Sequence, residues 1–433
     1  MNDRLVVVTG MGVVSPFGIG TPIFWENLIQ GQSASKMIDQ FDASGLPTRF
    51  AAFLSYDDFQ LEELVEDQKS TKTMSRSMKF AMISAHEAVQ QSGLNLNSID
   101  PYRAGVSIGA SGLGLWDIEH SELLLRIIAD SIKSEKELNY ARVWENTLNK
   151  VHPLTPLKAL PNMSAAHIAI KYNLRGHCQT ITTACTSSSQ AIGEAYRQIK
   201  ANIADIIITG GTDTMINPNG IVSLNTLGVI SKNNDEYQTA ARPFDKRRDG
   251  FMVGEGSAIF VLEELANCSA RNGIPLAEIK GYASTCDAYR LTDGPAESWG
   301  AISAMQGALN EANMAPEKID LINTHGTGTQ MNDKNETYAI KKVFGNQAYA
   351  IPANSTKSMI GHLVAAAGAV ELAGCIKSIN DHIIHPTINY QVPNPVCDLD
   401  CVPNKMRESR INRVLSNSFG FGGQNSCLVI TSL

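Results

Sequence analysis

The sequence predicts an α/β fold whose sheet is covered by helices on both faces. Three observations lead there. Short β-branched runs alternate with segments of helical period: RLVVVTG at the start, AGVSIGA at 104–110, ADIIITGG at 204–211, AIFVLEE at 258–264, IDLINTHG at 319–326 and CLVITSL at the end. The runs are apolar throughout instead of alternating with polar residues, as strands buried on both faces are. The helical patterns between them, at 76–92, 186–202, 299–313, 334–344 and 362–379, are long enough to cross between parallel strands. With 433 residues the chain has material for two or three domains or for one large duplicated fold.

Taken in order, the first strand leads into Gly10-Met11-Gly12, which invites a dinucleotide-binding reading. Ser15 replaces the third glycine of that fingerprint, Pro16 follows, and no ribose-binding acid is evident, so the pair reads as a tight turn at a strand end. The apolar run 5–8 is too short for an export leader. The longest apolar stretch, HLVAAAGAVELAGCI from His362, is too short to span a bilayer and carries Glu371, so it reads as a buried helix rich in small residues. A net charge of −7 offers no global attraction to nucleic acid or to an anionic membrane, and neither partner is expected. The eight cysteines include no CxxC pair, and Cys397 and Cys401 lack nearby zinc-type ligands, so free thiols, no metal and a cytoplasmic location are expected.

Four segments carry chemistry. TTACTSSSQAIGEAYRQI places Cys185 just before a helix marked by Ala191, Ile192, Ala195 and Ile199, where amide dipoles favour a thiolate. A lone cysteine there serves equally well as packing. NTHGTGT sets His325 in a Gly/Thr-rich loop after an apolar strand; NSTKSMIGH spaces Lys357 and His362 five residues apart; and SNSFGFGGQNS forms a glycine loop around Phe419 and Phe421. Singly, either histidine is accommodated as a structural one, the lysine as a solvated charge and the phenylalanines as core. Together, a cysteine, two histidines, a lysine and a glycine loop suggest acyl transfer through a thioester, with backbone amides holding an oxyanion. One base suffices for hydrolysis; two neutral imidazole donors suit an enolate and carbon–carbon bond formation.

At these residues the sequence resembles the elongating β-ketoacyl-acyl-carrier-protein synthases, including the type II polyketide ketosynthases. VVVTGMGVVSPFG, TACTSSSQAIGEA, RPFDKRRDGFMVGEG, THGTGTQMNDKNE, STKSMIGHLVAAAGAVE and NSFGFGG occur in the family's order across essentially the whole chain. The resemblance implies a thiolase-like five-layer αβαβα fold of two similar halves, 1–255 carrying the cysteine and 256–433 the histidines and lysine. It implies Cys185 as the acyl-accepting nucleophile, His325 and His362 as the pair that drives malonyl decarboxylation, and Lys357 as the residue that orders the site. The amides of Cys185 and Phe421 become the oxyanion hole, with Phe421 also a gate. Thr327, Thr329, Phe419 and Gly422 are expected to contact substrate, and Lys69 and Lys72 to receive an acidic acyl carrier protein. No bound cofactor is implied, since substrates ride on the carrier's phosphopantetheine.

Departures and rivals accompany the resemblance. The segment after Trp116, the stretch IGASGLGLW, Gln424 after the glycine loop, and Gly228 in the place of a carrier-binding arginine all differ from housekeeping fatty-acid synthases. They suggest a dedicated carrier and leave fatty-acid, polyketide and polyene elongation open. A thiolase would need a second catalytic cysteine; Cys427 is near the end but lies in the final strand pattern. A non-catalytic chain-length-determining or scaffold subunit would lack the cysteine. Either a homodimer or a heterodimer with a chain-length-factor-like paralogue fits the resemblance.

Overall fold

A computed structural model describes residues 4–55, 61–112, 117–132 and 137–433. Its main sheet runs, strand by strand, Ala353–Asn354, Leu321–Asn323, Arg413–Gly420, Gln424–Thr431, Ala277–Cys286, Val6–Ser15, Gly256–Glu264, Ile206–Asp213, Ala104–Ala110, Cys178–Ile181. The middle of this path is a short seam where Val6–Val8 pair antiparallel with Ala277–Ile279. Moving outward from Val6–Ser15, the next strands pair antiparallel, antiparallel, parallel and parallel. Moving outward from Ala277–Cys286, the same series of directions recurs.

Two helices, Ser187–Lys200 and Ala367–Asp381, touch each other and strands from both sides of the seam. Small residues permit this: a Cβ on Gly193 would lie 2.2 Å from the Tyr282 ring, and one on Gly368 would lie 2.9 Å from Ser189. Ala367–Asp381 is buried along nearly its whole length, as its composition predicts. On the opposite faces Arg76–Ser92 lies on Val6–Ser15 and Gly256–Glu264, and Trp299–Glu311 lies on Ala277–Cys286 and Gln424–Thr431. The Gly10/Gly12 pair lies inside strand Val6–Ser15 and not in a turn at its end, and it serves this contact. A Cβ on either would fall 2.0 Å from the Ala88 carbonyl or 2.1 Å from that of Ser84, so the glycines let helix Arg76–Ser92 press onto the strand.

The expected elements differ from the observed ones mainly at their ends. Helix 76–92 is found at those limits, and strand 104–110 likewise. The helix expected from 334 begins at Gln330, because the Thr329 hydroxyl caps it by accepting the Asn332 amide. That expected from 362 begins at Ala367 after a 3₁₀ turn, Val364–Ala366, which leaves His362 outside the helix. Strands Cys178–Ile181, Ala277–Cys286, Ala353–Asn354 and Arg413–Gly420 were not anticipated. The segment after Trp116 contains two contacting helices, Ile118–Asp130 and Tyr140–Lys150; Trp116 itself, with residues 113–115, lies outside the described residues. Among the described residues no helix is long and apolar enough to cross a membrane.

Candidate active site

Two strained turns place the chemistry. Cys185 is the middle residue of the 3₁₀ turn Ala184–Thr186, which feeds helix Ser187–Lys200, and Ala184 sits at φ +50°. The Ser187 hydroxyl fixes the turn, accepting the Thr183 amide at 2.9 Å and donating to the Ala184 carbonyl at 2.7 Å. The turn Val364–Ala366 feeds helix Ala367–Asp381 in the same way, with Val364 at φ +46°. A β-branched residue in the left-handed region is a costly conformation, and such strain gathers at functional sites.

These turns and the loop after Leu321–Asn323 bring the Cys185 sulfur, one ring nitrogen of His325 and one of His362 within 4.8 Å of one another, all buried. The imidazoles meet edge to face, centroids 5.2 Å apart at 83°. Phe251 packs on His362 and Phe419 on His325, with centroids 5.0 and 5.8 Å away. His362 Nδ1 accepts the Val364 amide at 3.2 Å, so its proton resides on Nε2. The backbone amides of His325 and Gly326 each donate to the Glu336 carboxylate at 2.8 Å, which pins the His325 loop. His325 Nδ1 is buried without a hydrogen-bond partner among the described residues.

Burial drives both histidines well below the ordinary imidazole range, and the nearby positive Lys357 drives them further. Both rings are therefore neutral at pH 7, each with one N–H to donate. Lys357 is itself buried and paired through Nζ with Oε1 of Glu371, whose carboxyl burial pushes up to about 7 against the pull of the lysine. For Cys185 the helix start predicts a thiolate, but burial outweighs it and pushes the thiol up to about 12. Lys357 and the backbone amides of Phe421 and Cys185 oppose that rise, so two N–H groups already point at the sulfur.

A cavity of about 520 Å³ opens onto this cluster. Cys185, His325, His362, Thr327, Thr329, Phe419 and Phe421 all line it, and the Thr327 and Thr329 hydroxyls are hydrogen-bonded at 2.9 Å. Lys357 stands outside the lining, and so does Gly422, an exposed residue at φ +87° whose amide donates to the Leu291 carbonyl. Gly228 lines the cavity with open space where a side chain would project. Lys69 and Lys72 are exposed, at the turn Ser70–Thr73 and outside the cavity lining. Cys427 is buried inside strand Gln424–Thr431, donating to Asn417, and does not line the cavity. Sequence reasoning passed over Glu336 and Glu371 as site residues; the signal was there for Glu371, the one acid in the apolar small-residue stretch 362–376.

The comparisons with known proteins agree with this geometry. Residues 3–267 match the family model described as Beta-ketoacyl synthase, N-terminal domain, and residues 276–391 match Beta-ketoacyl synthase, C-terminal domain. The chain is 42% identical over 431 residues to 3-oxoacyl-[acyl-carrier-protein] synthase 2 of Coxiella burnetii, covering 100% of this chain and 99% of that protein. It is 36% identical over 434 residues to the tetracenomycin polyketide synthase ketoacyl synthase alpha subunit of Streptomyces glaucescens, covering 99% and 97%. Among solved structures, a type II polyketide acyl-carrier protein in complex with its ketosynthase bound to the hexaketide contains a chain that superposes with a TM-score of 0.88 at 33% identity over 100% of both chains. Fold and site together define a condensing acyltransferase. The chain belongs to the beta-ketoacyl synthase family.

Proposed function

We propose that this chain elongates an acyl group by decarboxylative Claisen condensation on carrier-bound substrates. The observation that carries the reading is the buried cluster of one thiol and two neutral imidazoles at the cavity end. Cys185 attacks the thioester carbonyl of an acyl carrier, its proton leaves with the carrier thiol, and the acyl oxygen rests on the Cys185 and Phe421 amides. His325 and His362 then donate to the malonyl thioester oxygen, stabilising the enolate left when carbon dioxide departs; that carbanion attacks the acyl-Cys185 carbonyl, the C–S bond breaks, and the released Cys185 thiolate takes up a proton from solvent. Burial holds both imidazoles neutral, and the charge of Lys357 reinforces it. Thr327, Thr329 and Phe419 line the channel for the substrate arm, Gly422 lets the Phe421 loop turn, and Lys69 and Lys72 meet an acidic carrier.

The finer architecture belongs to the same reading. The repeated series of strand directions, and two inner helices touching strands of both series, support a thiolase-like five-layer arrangement of two similar halves. Strand Gly256–Glu264 pairs with Val6–Ser15 and Ile206–Asp213, which favours a seam after that strand over one at 255/256. A cytoplasmic enzyme acting as a dimer, with a like chain or a chain-length-factor-like paralogue, fits the neighbouring structures described as ketosynthase/chain length factor. Cys185 within the cluster favours the catalytic subunit over a scaffold. The test is intact mass after incubation with acyl-carrier thioesters of graded length, then addition of malonyl-carrier protein. An adduct absent in Cys185→Ala and discharged with carbon dioxide release establishes the reading; no adduct from any carrier overturns it for the isolated chain.

A further inference from the structure

The two strained turns differ in what meets their middle amide. Strand Ile206–Asp213 ends against the turn Val364–Ala366, and strand Arg413–Gly420 ends against Ala184–Thr186. The last residue of the first is Asp213, whose Oδ2 accepts the Ala365 amide at 3.0 Å while Oδ1 accepts the Ser111 hydroxyl at 2.8 Å. The last residue of the second is Gly420, where a Cβ would lie 3.3 Å from the Cys185 nitrogen. Thus one turn has its middle amide taken by a buried carboxylate, and the other keeps the amide open to its own sulfur.

The taken amide has a use. The Val364 N–H lies on His362 Nδ1, which sets the proton on Nε2, and Val364 at φ +46° then turns the chain so that the following amide, that of Ala365, meets Asp213. The conformation is unfavourable for valine and persists only where surrounding bonds over-determine it. The bond next along the chain is Ala365 to Asp213. We propose that Asp213 is a positioning residue for His362, its carboxylate holding the Val364 turn so that the imidazole keeps one tautomer and one orientation toward the substrate oxygen. This inference rests on the condensing reading and assigns a role to a residue outside the cavity lining. It also separates the half-reactions: Asp213 bears on Cys185 by its charge, which raises the thiol, so its loss does not slow acyl transfer at the other turn.

The experiment uses the full chain with Asp213→Ala, Asp213→Asn and Asp213→Ala/Val364→Gly. Two half-reactions are read: adduct formation on Cys185 from an acyl-carrier thioester, by mass, and carbon dioxide release from malonyl-carrier protein. The expected result for Asp213→Ala is a loss of carbon dioxide release of about tenfold or more, as for a misplaced catalytic group, with adduct formation held within about threefold. Val364→Gly removes the conformational penalty and recovers part of that loss. Should the alanine variant fail to fold, Asp213→Asn, which keeps the shape without the charge, carries the same split between half-reactions. Equal loss of both half-reactions, no loss of either, or no recovery in the double variant overturns the assignment. A wild-type chain inactive in both half-reactions instead overturns the condensing reading.

Discussion

Lys357 and Glu371 form a buried ion pair, Nζ to Oε1, outside the cavity and within electrostatic reach of both histidines. Breaking such a pair from one side leaves an uncompensated charge and costs about 3–5 kcal/mol. Because Glu371 can take up a proton near neutrality, Lys357→Met is expected at the lower end of that range, measured by denaturant unfolding. Lys357→Met/Glu371→Leu should recover much of the stability and none of the decarboxylation. Recovery of activity along with stability would reduce the lysine to a packing role.

The histidines predict the pH profile. Their protonation is depressed far below the ordinary 6.5 by burial and by Lys357, so both stay neutral as pH falls through 6.5. Carbon dioxide release from malonyl-carrier protein should therefore show no imidazole limb near 6.5; a limb between pH 6 and 7 belongs to the buried carboxyls of Glu336, Glu371 and Asp213, which burial pushes up to about 7, about 7 and about 6. In Lys357→Met the depressing positive charge is gone, the imidazoles protonate at higher pH, and their acidic limb moves upward. An unshifted limb would mean that the lysine does not govern these rings.

Cys185 should alkylate slowly and with a steep pH dependence. With the thiol pushed up to about 12, the rate with iodoacetamide rises about tenfold per pH unit through pH 9 without the plateau that an ordinary thiol near 8.5 shows. Peptide mapping separates it from the exposed Cys178 and Cys286. A plateau below pH 9 would show that the helix start outweighs burial.

Two glycines predict two different failures. Gly10→Ala drives a methyl into the Ala88 carbonyl, where 2.0 Å is available, and should cost about 1–3 kcal/mol of stability with the site chemistry intact in whatever folds. Gly420→Ala places its methyl 3.1 Å from the Thr183 carbonyl and 3.3 Å from the Cys185 nitrogen, a milder squeeze at a more sensitive place. Its expected effect is on adduct formation, about tenfold to a hundredfold, with the melting temperature little changed. The opposite pattern in the pair would contradict the roles given to these contacts.

What the sequence disclosed follows the range of the interactions involved. The buried strands and helices read clearly because apolar runs and helical period are local, and Arg76–Ser92 and Ala104–Ala110 emerged with their limits. Cys185, His325 and His362 were legible because each stands in an unusual small-residue setting. Glu336 was not, since its importance lies in amides of another segment, those of His325 and Gly326. The state of the Cys185 thiol was misjudged for a similar reason: the helix start is visible in the sequence, whereas the burial that outweighs it is made by the Phe419–Phe421 loop and the second turn. Strand Arg413–Gly420 was masked by a run that reads as polar, SNS, of which Ser416 and Asn417 are hydrogen-bonded inside the fold.

A nucleophile that keeps its proton is also a nucleophile at rest. Oxidants and stray electrophiles attack thiolates, and a buried sulfur held as SH offers them little to react with. In the proposed mechanism the same amides hold the substrate's carbonyl oxygen, so reactivity is conferred by the substrate's own arrival. On the proposed reading, the protein thereby spares the Cys185 sulfur from chemical ageing between turnovers.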